Sequence, residues 1–375
     1  MLLTVGFDGT PAARQAAGIG RYTRELLSAL SARSDPFAYR LYYAARGHLH
    51  GHLPELDDRF RVRALPLSDR MLNVIWQRAR IPLPVQVAAG RFDVFHSPDF
   101  SLPPTGRAPS VLTIHDLAFM RVPECTVPSL RSYLMRVVPR AAKRATAILT
   151  VSENTRRDVV ELLDVPEEKV TTVYEGVLSS FRETPDGEQT DGAVGTRPFI
   201  LAVGTLEPRK NYERILEAYA LARDRGVDHE LIVAGAPGWL FTPVYDRVRR
   251  LKLGNLVRFV TPSDVELLRL YRAADACVYA SLYEGFGLPA LEALACGCPL
   301  LCGNTSSLPE VVGDAALLCN PYDVGDLADA LVRLLGDTEL RARLRQAGPR
   351  QAAQFSWARC AEETVEVYCR AAGYG

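Results

Sequence analysis

Short, unbroken apolar runs alternate with stretches of helical period along the whole 375-residue chain, and that alternation leaves few folds open. MLLTVGFD, DVFHS, SVLTIHD, AILTVS and VTTVYEG stand in the first half, separated by stretches such as GRYTRELLSALSAR and SENTRRDVVELLDV. The second half repeats the rhythm with FILAVGT, ELIVAGA, VRFVT, ACVYAS, PLLCGN and AALLCN. Between these lie YERILEAYALARDR, DVELLRLYRAAD and LPALEALACG. A strand with no polar alternation must be covered on both faces, which requires a parallel sheet with helices above and below it. The pattern occurs twice in a chain too long for one ordinary core, so two doubly wound, Rossmann-like α/β domains are expected.

The polar stretch TPDGEQTDGAVGTRP, residues 184–198, has no apolar period and is rich in Gly and Pro, as a linker should be. It places the first domain at residues 1–183 and the second at 197–355. Residues 356–375 are read as one last helix. Lys plus Arg and Asp plus Glu number 44 each, a balance that gives no support for nucleic-acid binding. The start MLLTVGFDG has neither the basic flank nor the long apolar run of a secretion signal, so a cytoplasmic location is expected. The eight cysteines lie mostly within apolar runs and lack CxxC pairs, which favours reduced, buried thiols and no metal site.

In open parallel sheets, ligands sit beyond the carboxyl ends of the strands. With two such domains, the cleft between them is the expected site. Gly204-Thr205-Leu206-Glu207-Pro208-Arg209-Lys210-Asn211 follows FILAV and precedes a helix expected to begin near Tyr212. Arg209 and Lys210 would then sit where a helix dipole also favours anions, and the pair suits a diphosphate. Glu284-Gly285-Phe286-Gly287-Leu288-Pro289-Ala290-Leu291-Glu292 follows ACVYAS. Its glycines allow a close backbone approach, Pro289 suits a first helical turn, and Gly297 suits the position after the helix end. The carboxylates of Glu284 and Glu292 suit the hydroxyls of a ribose or sugar. Gly18-Ile19-Gly20 after TVGFD opens a helix but lacks the third glycine of a dinucleotide fingerprint. His115-Asp116 follows SVLTI and is placed to hydrogen-bond a ligand or move a proton, or else is a satisfied core pair. His96 is a weaker case of the same kind, and Ser152 reads as a helix N-cap.

Taken together, GIGRYTREL, His115-Asp116, VSENTRRD, VGTLEPRKN and YEGFGLPALEALACGCP followed by SSLPEVVGDAALL resemble the retaining glycosyltransferases of family 4, with the GT-B fold, from Gly18 to about Phe355. Glu284 and Glu292 match that family's E-x7-E spacing. The resemblance implies that Arg209 and Lys210 bind the donor diphosphate and that Glu292 binds the ribose. It also implies that Glu284 faces the donor sugar with the N–H groups of Phe286 and Gly287, beside Leu288. Gly204 and Thr205 line the donor side, and Thr261 stands near the base. His115 would reach the anomeric region, and Gly18 and Gly20 would form a loop over the phosphates. The last helix would return to the first domain. No metal or other cofactor is implied, since the nucleotide sugar is itself a substrate.

The chain departs from the family pattern at three places. Ala280 stands where Pro is common, Thr261 where Gly is usual, and Glu175-Gly176-Val177 where NGV is usual. The motif set is most similar to a mannosyltransferase branch, which implies GDP-mannose as donor and a glycan or lipid-linked acceptor in polysaccharide biosynthesis. A UDP-sugar donor such as UDP-glucose is the alternative; a sugar-nucleotide epimerase and a non-catalytic subunit of the same fold are more distant ones. Finally, RMLNVIWQRARIPLPVQV mixes Met71, Leu72, Ile75 and Trp76 with Arg70, Arg78 and Arg80. The stretch 131–157 adds Arg131, Arg136, Arg140, Lys143, Arg144, Arg156 and Arg157. Such a surface could rest peripherally on anionic lipid at the inner face of the cell membrane, or be ordinary helix faces over a core.

Overall fold

The computed structural model describes residues 3–16, 18–49, 51–182 and 197–374. The linker read at 184–198 therefore lies outside the described residues as far as residue 196. The chain divides into two compact units. One comprises Met1–Met120, Ser129–Gly176 and Trp357–Gly375; the other comprises Arg121–Pro128 and Val177–Ser356.

The first unit is built on a parallel sheet of seven strands in the order β3-β2-β1-β4-β5-β6-β7. These are β1 Thr4–Asp8, β2 Ala38–Ala44, β3 Phe60–Leu65, β4 Val94–Ser97, β5 Ser110–Ile114, β6 Ala147–Thr150 and β7 Val170–Thr172. The apolar runs of the first half become β1 and β4 to β7. β2 and β3 went unread in the sequence. β2 carries Arg40 between its apolar residues, and β3 is an edge strand whose FRVRAL is exposed at its four central positions. The last helix, Trp357–Ala372, packs within this unit against the helix Ile19–Ser31 and the sheet. Its Tyr368 hydroxyl lies 2.6 Å from Nδ1 of His96 on β4.

The second unit holds a parallel sheet of six strands in the order β10-β9-β8-β11-β12-β13. They are β8 Phe199–Val203, β9 Glu230–Ala234, β10 Val257–Val260, β11 Ala276–Tyr279, β12 Leu300–Gly303 and β13 Leu317–Cys319. All six coincide with apolar runs of the second half. Every residue of β8, β11 and β12 is buried, as a strand covered on both faces requires. In each sheet the strand order reverses beside its first strand, at β1/β4 and at β8/β11. In a doubly wound sheet the loops leaving that point diverge and open a crevice at the strand ends.

All eight cysteines are free thiols and six are buried. Among the described residues, no helix is long and apolar enough to cross a membrane.

Candidate functional site

At the β8/β11 switch point, two turns are stitched together. Beyond β8, Pro208–Lys210 forms a short 3-10 turn and Asn211 adopts a left-handed conformation (φ +61°) before the helix Tyr212–Asp224 begins. Asn is among the few non-glycine residues that take this conformation readily. Asn211 Nδ2 donates to the carbonyl oxygens of Ala280 (3.0 Å) and Pro321 (2.7 Å), which follow β11 and β13. The N–H of Leu282 donates to the carbonyl of Arg209 at 2.9 Å. The arginine and lysine thus sit on a short turn preceding the helix, which begins at Tyr212 as expected.

The loop Ser281–Gly287 beyond β11 is buried throughout. Ser306 and Ser307 hold it from the segment after β12. The N–H of Glu284 donates to Ser306 Oγ (2.8 Å), and Ser307 Oγ donates to the carbonyls of Glu284 (3.0 Å) and Phe286 (2.9 Å). Gly287 has φ +103°, and a Cβ there would meet Leu308 Cδ2 at 2.7 Å, so the turn into the helix Leu288–Ala295 requires glycine.

Between these turns lies a four-residue charged cluster. Arg209 Nη1 donates to Glu284 Oε2 at 2.6 Å and to the Tyr283 carbonyl at 2.9 Å, while its Nη2 lies 2.7 Å from Glu207 Oε1. Lys210 Nζ donates to Glu284 Oε1 (2.6 Å) and to the Tyr279 hydroxyl (2.7 Å). That hydroxyl donates in turn to Glu284 Oε1 at 2.8 Å. Burial alone would raise the Glu284 pKa, but Arg209 and Lys210 outweigh it and hold the carboxyl at about 2. Two cations opposite two carboxylates make the cluster neutral, which is what allows four ionised groups to be so little exposed.

The other residues singled out from the sequence around this sheet occupy distinct places. Gly204 (φ +137°) is packed by the aliphatic stem of Lys210, and its carbonyl accepts from Tyr212 Oη at 2.6 Å. Glu292 is buried on the second turn of its helix and accepts from the Tyr271 hydroxyl at 3.1 Å. Phe286 is buried, with Phe355 edge-on at 5.7 Å. Thr205 and Leu288 are half-buried, and Thr261 is exposed beyond β10.

In the first unit, His115 is buried beyond β5. Nε2 of His115 lies 2.9 Å from the Pro98 carbonyl and Nδ1 lies 3.5 Å from Glu175 Oε1. Burial lowers its pKa, but the Glu175 carboxylate and the Pro98 carbonyl reverse that effect and leave it raised. An acceptor therefore stands beside each ring nitrogen. His96 is a satisfied core histidine. Tyr368 lies against one of its ring nitrogens and Thr113 (2.8 Å) against the other, and burial depresses its pKa to about 3. Ser152 caps the helix Glu153–Leu163 by accepting from the N–H of Thr155.

The glycine pair differs from the simple loop expected. The short helix Thr10–Arg14 intervenes between β1 and Gly18, so the glycines do not directly follow the strand. Gly18 is exposed with φ +55° and caps the next helix. Gly20 is buried inside that helix, where a Cβ would lie 2.0 Å from the Gln15 carbonyl oxygen. Its missing side chain is accounted for by that packing.

Five contributors escaped the sequence reading as functional residues: Tyr279, Asn211, Glu207, Ser306 and Ser307. All but Glu207, which pairs with Arg209 on its own turn, act through a contact to a distant segment. The one local signal was polar residues placed directly after strands.

Two α/β units with this strand order are the architecture of the GT-B glycosyltransferases. Sucrose-phosphate synthase from Thermosynechococcus elongatus superimposes with a TM-score of 0.74 at 21% identity, covering 98% of both chains. Anabaena HepE in complex with UDP and glucose does so with a TM-score of 0.73 at 18% identity, over 98% of this chain and 99% of that one. At the sequence level, residues 16–180 match Glycosyltransferase Family 4 and residues 186–351 match Glycosyl transferases group 1. O-antigen chain mannosyltransferase B of Escherichia coli is 31% identical over 94% of this chain and 95% of its own. MMP alpha-(1->4)-mannosyltransferase of Mycolicibacterium hassiacum is 34% identical over 62% of this chain and 56% of its own. The chain belongs to the group 1, family 4 glycosyltransferases.

Proposed function

We propose that this glycosyltransferase moves a mannosyl residue from GDP-mannose onto a glycan or lipid-linked acceptor in polysaccharide assembly, with retention of anomeric configuration and without a metal ion. The observation that carries the reading is the Arg209–Lys210–Glu284–Tyr279 cluster at the β8/β11 switch point. The mannosyl part is supported by the two mannosyltransferases among the relatives. HepE, similar in fold alone, was crystallised with UDP and glucose, so UDP-glucose is the competing donor.

The chemistry follows from charge. Breaking the bond to a nucleoside diphosphate leaves negative charge on the departing oxygen. Arg209 offers a planar fork and Lys210 a compact charge, both fixed by the turns that carry them, so stabilising that oxygen needs no reorganisation at the moment of reaction. A diphosphate engaging these cations competes with the Glu284 carboxylate, which then turns to the sugar hydroxyls. Glu292 takes the ribose. The acceptor hydroxyl attacks on the face from which the diphosphate leaves and passes its proton to a phosphate oxygen, which gives retention and needs no protein nucleophile. The enzyme works in the cytoplasm and touches the inner membrane face peripherally through its N-terminal unit.

The test is transfer from GDP-mannose, UDP-glucose, UDP-GlcNAc and ADP-glucose with the purified protein. Release of GDP only when acceptor is present supports the reading. Epimerised sugar without acceptor, or preference for UDP-glucose, contradicts it.

A further inference from the structure

The first sheet has a switch point of its own, at β1/β4, and the donor chemistry set out above does not use it. Three carboxylates gather there. Asp8 is the last residue of β1, and Asp99 follows β4, which pairs with β1 through Phe7 and His96. Asp69 opens the helix Asp69–Asn73 beyond β3. Gln15 Nε2 donates to Asp99 Oδ2 at 3.4 Å, which ties the end of the helix Thr10–Arg14 to the loop after β4. All three aspartates are half-buried, so each still reaches solvent.

Two observations separate this cluster from ordinary turn carboxylates. First, no cation closes on it. Asp8 accepts from the N–H of Thr10 (2.9 Å), Asp69 from Asn73 Nδ2 (3.2 Å) and Asp99 from the N–H of Phe100 (2.6 Å). Arg14 and His115 act on Asp69 and Asp99 by charge, yet none of the three forms an ion pair among the described residues. Burial raises the pKa of all three. Asp69 adds to the rise at Asp8, which is pushed up to about 6, and Asp99 adds to it at Asp69. Glu284, equally shielded but held by two cations, stands at about 2. Second, Tyr42 on β2 lies in register beside Asp8. The ring is fully buried, and the hydroxyl faces the Asp8 carboxyl with no hydrogen-bond partner among the described residues. A buried hydroxyl without a partner is uncommon in a finished core and suits the floor of a polar ligand site.

We propose that Asp8, Asp69 and Asp99 make the β1/β4 crevice select an uncharged, hydroxyl-rich glycan end as acceptor and reject phosphorylated or uronic-acid ends. An ionised carboxylate only accepts hydrogen bonds, and its two oxygens can take neighbouring sugar hydroxyls. Hydrogen bonds from those hydroxyls favour the ionised form and so oppose the effect of burial. A phosphate or carboxylate in the same place meets three like charges, with no closed ion pair to offset its desolvation. The two switch points are therefore opposite in charge, cationic where a diphosphate is to be held and anionic where hydroxyls are. The inference rests on the glycosyl-transfer reading above and adds the class of acceptor to it.

The experiment reads binding and transfer separately. Saturation-transfer NMR on the full chain, with no donor added, measures binding of methyl glycosides of mannose, glucose and galactose disaccharides, each beside its 6-phosphate. The expected result is that at least one neutral disaccharide binds, and that its phosphate binds about tenfold more weakly or worse. Asp8→Asn, Asp69→Asn and Asp99→Asn should each weaken the neutral ligand about tenfold, the scale of one hydrogen bond to a charged group, and narrow the gap to the phosphate. A merely structural role would lower the melting transition and leave that gap where it is. Transfer assays with the same disaccharides should show the same order in acceptor KM, with donor KM unmoved. GDP-mannose and UDP-glucose are both offered, so a failed donor assignment appears as use of UDP-glucose with the acceptor order intact. Three results overturn the proposal: no neutral disaccharide binds, a phosphate binds as tightly as its neutral parent, or all three variants keep the unaltered ratio of neutral to phosphorylated affinity.

Discussion

Lys210 Nζ and Glu284 Oε1 lie 2.6 Å apart, and the Tyr279 hydroxyl bonds to both. The lysine comes from the turn after β8, the carboxylate from the loop after β11, and the tyrosine from the last residue of β11 itself. The hydroxyl fixes the distance between two turns that meet across a topological switch point. Tyr279→Phe should raise KM for the donor about fivefold and cost about 1 kcal/mol in stability, the scale of one buried hydrogen bond. Steady-state kinetics and a denaturant titration read both. Unchanged values of each would remove Tyr279 from the site.

Arg209 hydrogen-bonds to Glu284 and the Tyr283 carbonyl and forms an ion pair with Glu207, so its guanidinium plane is fixed. Arg209→Ala should lower kcat by about a hundredfold, the usual scale for losing one preorganised charge donor at a leaving group. Arg209→Lys should recover only part of it, because an ammonium cannot span three acceptors in one plane. Equal rates for the lysine variant and the unaltered enzyme would show that charge alone matters there.

Asn211 bonds two carbonyls from separate loops. Asn211→Leu removes both donors, leaves two buried acceptors unpaired and places a branched side chain at φ +61°. A loss of about 3 kcal/mol or more is expected in chemical denaturation. A loss below about 1 kcal/mol would mean that the loops hold together without the latch.

The His115 pKa is raised against the opposing effect of burial, chiefly by Glu175. A group whose folded pKa is raised adds stability that is complete below its unfolded pKa, about 6.5, and fades as pH rises through the folded value. Glu175→Gln should therefore cost most stability below about pH 6.5 and little well above the folded value. It should also move the alkaline limb of the activity profile toward lower pH. An NMR titration of the His115 ring checks the shift directly, and an unmoved pKa would separate the two residues. Glu284 lies on the other side: with its carboxyl at about 2, its contribution is complete at neutral pH, begins to fall below the unfolded value of 4.5 and is lost as pH falls through the folded one.

How far the sequence showed all this depended on how local each signal was. Four of the six strands of the second unit are wholly apolar, and β9 and β10 each carry a single charged residue, Glu230 and Arg258, so apolar runs located all six. β2 and β3 were hidden by Arg40 and by the edge position of FRVRAL, where burial no longer shapes composition. Arg209, Lys210 and Glu284 were visible because each follows a strand. Their mutual pairing was not visible, because 74 residues separate Lys210 from Glu284. Glu175 was seen only as a departure from a family pattern. Its place beside His115 depends on the pairing of β7 with β6 and of β6 with β5, which no local spacing encodes.

The most direct measurement of the central claim is NMR of the product made from GDP-mannose and a mannosylated acceptor by the purified chain, beside the Arg209→Ala variant. The expected result is an α-mannosyl linkage, GDP released in equal amount, activity that survives EDTA, and turnover about a hundredfold lower in the variant. A β-linked product, a requirement for divalent metal, or an Arg209→Ala variant as fast as the unaltered enzyme would contradict it.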